Sequence, residues 1–180
     1  STHHETVELV QSIMKHLDRP CVLDADALNA LAGRALLLTE CKIPPILTPH
    51  PGEMARLGTD VTTQSVNADR IGTAKRFAQE RGVFVVLKGA RTVIARPDGL
   101  VAICPTGNPG MATAGTGDVL TGMVVGLLGQ GVSAWEAACT ATYFHGLAGD
   151  LAARQLGQTG MLASDLIAQI PYALQRTTAI

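Results

Sequence analysis

Four apolar residues in unbroken succession, Phe84-Val85-Val86-Leu87, constrain this 180-residue chain more than any other stretch. Side chains alternate between the two faces of a strand, so a run without polar breaks is tolerated only where both faces are covered, as in a parallel sheet with helices on either side. The run ends on Lys88-Gly89, and before it residues 62–81 read as one polar helix with Val66, Ala74, Phe77 and Ala78 inward, closed by Gly82. Two earlier segments repeat the scheme. Cys21-Val22-Leu23 leads into Asp24-Ala25-Asp26 and a helical turn from Ala27 to Leu31 stopped at Gly33. Ile46-Leu47-Thr48 leads into Pro49-His50-Pro51-Gly52 and a helix through Glu53 and Leu57.

The remaining segments fit the same architecture. Thr2-x-x-Glu5 has capping-box spacing, followed by Val7, Val10, Met14 and Leu17 on one helical face. Segments near 92–96 and 100–104 flank Pro97-Asp98-Gly99 as a hairpin, and helices are expected near 117–129, 134–153 and 164–175, the second opened by a capping box at Ser133-x-x-Glu136. Alternating strands and helices imply right-handed crossovers and a mostly parallel sheet, whose ligands collect at the carboxyl ends of the strands. Asp24/Asp26, His50/Glu53, Lys88/Gly89 and the loop to Asp118 are therefore expected to converge on one cleft. The length argues for one domain at ~150 residues each, and the 47% hydrophobic, 16% charged composition suits a buried α/β core.

Several partners are excluded on composition. A net charge of −1 supplies no basic field for nucleic acid. The most apolar window, Val119 to Leu128, is interrupted by Gly122 and Gly126 and falls short of the ~20 residues of a membrane span. Cys21, Cys41, Cys104 and Cys139 form no CxxC pair, and the opening residues lack the pattern of a secretory signal, so reduced thiols in a cytoplasmic protein are expected. The small residues along 134–153 offer a surface for a second copy of the chain, a homo-oligomer.

The chemistry concentrates in Thr106–Asp118, TGNPGMATAGTGD. Glycines let the backbone approach a phosphate, and a helix beginning there directs amides and its positive dipole end at the anion. The loop is neither a Walker A motif nor a Rossmann fingerprint, since Leu120 stands where the third glycine would be. Asp118 is read in two ways: as a helix cap, or as the base for an acceptor hydroxyl beside a transferring phosphoryl group, with Lys88 and a magnesium ion offsetting the repulsion. Lys88 likewise either reaches into the cleft or snorkels to water. Glu53 either holds a magnesium-bound water or complements the helix dipole. Asp24 and Asp26 are read as metal or hydroxyl ligands or, for Asp26, as a cap. His145 has no partner at metal spacing and reads as a packed histidine, and His3-His4 as a solvated terminus.

Four blocks together resemble the ADP/ATP-dependent NAD(P)H-hydrate dehydratase family, whose fold is ribokinase-like: Asp24-Ala25-Asp26-Ala27-Leu28-Asn29, Thr48-Pro49-His50-Pro51-Gly52-Glu53, Lys88-Gly89-Ala90-Arg91-Thr92, and Gly107 through Asp118. The resemblance implies a three-layer α/β/α fold with a mostly parallel central sheet, and an activity in which ADP or ATP phosphorylates the ring hydroxyl of hydrated NADH or NADPH before phosphate leaves. By position it makes Lys88, Gly89, Ala90, Arg91, Thr92, Asn108, Pro109, Gly110, Met111, Ala112, Thr113, Ala114, Gly115, Thr116 and Gly117 the adenine-nucleotide site. Asp118 becomes the catalytic base at the substrate hydroxyl, His50 a substrate contact, and Glu53, by similarity to vitamin and sugar kinases of this fold, a magnesium ligand through water. The family's glycine-rich amino-terminal strands have no counterpart, so residues 1–180 read as one partial domain, a carboxyl-terminal portion of a larger protein that in many bacterial members is fused behind an epimerase. The alternatives are a vitamin or sugar kinase of the same fold and a non-catalytic nucleotide-binding fragment.

Overall fold

The computed structural model describes residues 3–59 and 61–176. Its elements run α1 (His4–His16), β1 (Val22–Leu23), α2 (Asp26–Ala30), a 3-10 helix (Ala35–Glu40), β2 (Ile46–Leu47), α3 (Pro51–Leu57), α4 (Thr63–Ala68), α5 (Arg70–Arg81), β3 (Phe84–Leu87), β4 (Val93–Ala95), β5 (Val101–Ile103), a second 3-10 turn (Pro109–Met111), α6 (Thr116–Gly129), α7 (Ala134–Leu156) and α8 (Ala163–Gln175). They group into two compact units, Ser1–Gly89 with Val93–Ala102 and Ala90–Thr92 with Ile103–Ile180.

The first unit carries the sheet, ordered β1-β2-β3-β4-β5. β1 and β2 run parallel, with Val22 opposite Ile46, and β2 and β3 run parallel, with Ile46 opposite Phe84. β4 is antiparallel to β3, Val85 facing Ala95, and the turn through Pro97-Asp98-Gly99 brings β5 alongside, Arg96 N–H donating to Leu100 O at 2.9 Å. Val85, Val86 and Leu87 all have zero exposure. Because consecutive residues face opposite sides of a strand, both sheet faces are covered at β3, as the apolar run requires.

Local chemistry explains where the expected elements shift. The single helix expected over 62–81 is two, α4 and α5, divided at Asp69 (φ −140°, ψ 74°), whose carboxylate accepts the Gly72 N–H at 2.8 Å. An Asp that can cap a new helix competes with continuing the old one. Val66, Ala74, Phe77 and Ala78 are nonetheless buried as expected, and Gly82 closes α5 in the left-handed conformation (φ 65°). Thr2 of the expected first capping box lies outside the described residues; α1 begins at His4 and Leu17 already lies beyond it. The 3-10 helix that buries Ala35 and Leu38 has no periodic signal in the sequence.

In the second unit α7 packs against α6 and α8. Ala148, Leu151, Leu166 and Ala173 form its core, with Met111, Phe144 and Ile170 against them. Ser133 caps α7, but the Glu136 carboxylate accepts the Ser133 hydroxyl at 2.7 Å, so only the serine half of the expected box forms. Gly146 and Gly149 lie against Thr106 and Met111 of the same unit. These two glycines of α7 thus serve contacts within the chain. No helix among the described residues is long and apolar enough to cross a membrane.

Candidate active site

In the first unit the carboxyl ends of β1, β2 and β3 bring three of the four expected clusters together. Lys88, just after β3, directs Nζ to Asp24 Oδ1 at 2.7 Å and lies 3.8 Å from Glu53 Oε2. The three side chains are only 21%, 10% and 7% exposed, respectively. The ammonium is therefore neither free in a cleft nor snorkelling to water. It is bonded to the Asp24 carboxylate, with Glu53 close by.

Glu53 does two jobs. Its Oε2 accepts the His50 N–H at 2.7 Å, while His50 Nδ1 accepts the N–H groups of Gly52 and Glu53 at 3.0 and 3.3 Å, a reciprocal capping box that starts α3 with Pro51 in its first turn. An acceptor Nδ1 assigns the ring proton to Nε2, which lies 3.6 Å from Glu53 Oε1. The His50 side chain is half exposed, with its Nδ1 pinned by the first amides of α3. Asp26 does not cap α2, as the sequence allowed; it is the first helical residue, and the preceding Ala25 takes φ 48°, ψ −113°, a conformation that costs a non-glycine residue strain. A Cβ at Gly89 (φ 141°) would sit 2.9 Å from the guanidinium of Arg70, which donates to Leu87 O at 2.8 Å.

The second unit holds the glycine loop. Sequence reasoning missed the residue that ties it down, Asp150 on α7, whose two oxygens accept Gly107 N–H at 3.0 Å and Asn108 Nδ2 at 2.9 Å. Asn108 Oδ1 in turn accepts the Gly110 N–H at 3.0 Å. Thr106 Oγ1 donates to Tyr143 O at 2.8 Å, and Thr116 Oγ1 lies within 2.9 Å of both Met111 O and Thr113 O. His145 is buried, its Nε2 2.8 Å from Thr116 O, so it is the packed histidine its isolation suggested. The only sequence signal for this brace was the alanine and glycine content of α7, which permits close approach. From the neighbouring block, Thr92 O accepts the Cys104 N–H at 2.9 Å, and Arg91 (φ 57°) reaches Pro105 O at 3.4 Å; Ala90 lies beside them in the same unit.

Helix α6 begins at the end of this loop. Its N-cap is Gly115 (φ 88°), with no side-chain cap. Only glycine adopts that backbone at little cost, and the first amides of the helix are left without intrahelical acceptors. Asp118 is therefore not the cap: it stands at the third helical position, exposed, with no side-chain partner among the described residues. Among those residues no group of three or more His, Cys, Asp or Glu side chains is placed to hold a metal ion.

A family model described as NAD(P)H-hydrate dehydratase matches residues 2–172, nearly the whole chain and both units. The chain belongs to that family. Its fold is the ribokinase-like α/β fold, with β4 as an antiparallel departure from the parallel run β1–β3. It is 55% identical, over 94% of its length, to the bifunctional NAD(P)H-hydrate repair enzyme of Moorella thermoacetica and covers 32% of that protein. It is 43% identical, over 92% of its length, to the ADP-dependent (S)-NAD(P)H-hydrate dehydratase of Neisseria meningitidis, covering 57% of it. The crystal structure of the ADP/ATP-dependent NAD(P)H-hydrate dehydratase of Bacillus subtilis, co-crystallised with ATP/Mg2+, superposes with a TM-score of 0.81 at 39% identity, over 90% of this chain and 56% of that one. The chain thus spans from just under a third to somewhat over half of the length of these relatives.

Proposed function

We propose that this chain catalyses the nucleotide-dependent dehydration of hydrated NADH and NADPH, with ADP as the preferred phosphoryl donor and ATP as the alternative. The observation that carries the reading is Asp118: an exposed carboxylate, without a side-chain partner among the described residues, in the first turn of a helix whose cap is a glycine, at the end of a braced loop. The ADP-dependence in the name of the Neisseria relative and the ATP/Mg2+ in the Bacillus structure support the donor. The family match runs through both units, which supports reading the chain as one domain.

In this reading the backbone from Asn108 to Gly117, with Lys88 to Thr92, holds the nucleotide, and Asp118 takes the proton of the ring hydroxyl as its oxygen bonds to the terminal phosphorus and the donor's phosphoanhydride bond breaks. Phosphate then departs with the electrons of the C–O bond, a proton leaves the neighbouring ring carbon, and the double bond returns. Phosphate is a far better leaving group than hydroxide, which is the purpose of spending a nucleotide. The half-exposed His50 side chain contacts the dinucleotide. Magnesium, when bound, would neutralise phosphate oxygens, and Glu53, whose carboxylate accepts the His50 N–H and lies near Lys88, would be the residue to hold it through a water.

The test mixes the protein with hydrated NADH, magnesium and ADP, with ATP in parallel. Recovery of the reduced-nicotinamide absorbance with matching release of inorganic phosphate is expected. Folded protein that binds ADP yet recovers no absorbance would refute the proposal, and a stable phosphorylated product in the phosphorus NMR spectrum would make it a kinase instead.

A further inference from the structure

We infer that Asp24 is a positioning residue: by holding the Lys88 ammonium it leaves Glu53 free to cap α3 and so sets the orientation of His50. The inference rests on the reading of His50 as a dinucleotide contact, and it concerns how that contact is kept in place. Lys88 Nζ stands 2.7 Å from Asp24 Oδ1, a charge-assisted hydrogen bond, but 3.8 Å from Glu53 Oε2, beyond bonding distance. That Glu53 oxygen bonds the His50 N–H at 2.7 Å instead. Two acceptors therefore compete for one cation, and the geometry shows Asp24 taking it.

The neighbouring backbone is set against rearrangement. Ala25 is held at φ 48°, ψ −113°, a strain that persists only where the surroundings over-determine it; immediately beside it the Ala27 N–H bonds Asp24 O at 3.0 Å. On the other partner, Arg70 bonds Leu87 O at 2.8 Å and fills the space a Cβ at Gly89 would need, fixing the strand end that carries Lys88. The ammonium is thus delivered from a rigid strand to a rigid carboxylate, all in largely buried surroundings. Without the Asp24 charge, its nearest remaining anion is Glu53 Oε2, and bonding there withdraws that oxygen from His50 N–H.

The consequence is visible without substrate. In Asp24→Asn the His50 amide proton moves upfield in the NMR spectrum and its hydrogen exchange accelerates by about tenfold, as its acceptor is drawn away. Asp24→Glu restores both. In Asp24→Asn combined with Lys88→Gln, the competing cation is gone and the His50 amide returns to its wild-type position. In turnover, Asp24→Asn raises KM for the hydrated dinucleotide by about tenfold. A folded Asp24→Asn protein with a wild-type His50 amide overturns the inference, as does a double variant whose amide remains displaced, or an unchanged KM for the hydrated dinucleotide. If wild-type protein shows no dehydration, the dehydratase reading fails and the amide measurements still decide the role of Asp24. If Asp24→Asn does not fold, the amide in the double variant and in Lys88→Gln decides: both are expected at the wild-type position, and displacement in either is contrary.

Discussion

Gly146→Ala tests the brace between α7 and the glycine loop, because a single methyl group must cost stability there that it would add elsewhere. A Cβ at Gly146 would stand 2.3 Å from Thr106 Oγ1 and 2.8 Å from the Thr106 carbonyl carbon. The second contact is backbone, so no rotamer change relieves it. Moving Thr106 away breaks the hydrogen bond from its hydroxyl to Tyr143 O, now 2.8 Å. Overpacking costs about 1–3 kcal/mol and the lost bond about 0.5–1.5 kcal/mol, against a gain of about 1 kcal/mol for replacing a mid-helix glycine by alanine. The net is a destabilisation of about 0.5–3.5 kcal/mol. Gly126 on α6 supplies the control, for nothing lies within 4 Å of its added Cβ, and Gly126→Ala should stabilise by the full propensity gain of about 1 kcal/mol. Denaturant unfolding of both variants, with calorimetric titration of ADP, reads the contrast: Gly146→Ala loses stability and weakens ADP binding, Gly126→Ala gains stability and leaves binding alone. Equal stabilisation by both substitutions would refute the close approach of helix and loop.

Other consequences are as specific. Ala25→Gly removes backbone strain worth about 1–3 kcal/mol at an added unfolded-state entropy of about 0.4–1 kcal/mol, so Tm should rise by about 2–4 °C for a net gain near about 1 kcal/mol, and a fall in Tm would count against the strain. Asp150→Ala unties Gly107 and Asn108 together and should cost about 1.5–3 kcal/mol in denaturant unfolding. Burial, with the neighbouring Cys41 adding to it, pushes the Cys21 thiol up to about 11, and burial beside Cys104 pushes Cys139 up to about 11. Unfolded thiols ionise near about 8.5, so the unfolded chain loses protons first; this contribution is whole below that pH and is lost as pH rises towards 11. Unfolding free energy measured across that window should fall, and Cys21→Ala with Cys139→Ala should flatten the decline.

The parts of the fold legible in the sequence are those with a local period or a local breaker. The run Phe84–Leu87, the short strands before Asp24 and before His50, and the stop at Gly82 all announce themselves within a few residues. Asp69 reads equally well as a polar helix position or as a cap, and only the packing of α4 and α5 decides. The pairing of Lys88 with Asp24 spans 64 residues of sequence, so no spacing rule could have distinguished it from a solvated or phosphate-facing lysine. The same holds for Asp150 and the loop it fastens. Asp118 is the instructive case: its type and place suggested both a cap and a base, and the structure removes the first option by placing Gly115 at the cap. Gly146 and Gly149 of α7 mark a close approach, to Thr106 and Met111 of the glycine loop.

The most direct test of the account is the rate at which reduced-nicotinamide absorbance returns from hydrated NADH, with ADP and magnesium, in Asp118→Asn against the unaltered protein. General-base loss predicts a rate lower by about 10²–10⁴ with ADP affinity unchanged. A rate within about tenfold of the unaltered protein would contradict the assignment of Asp118 as the base.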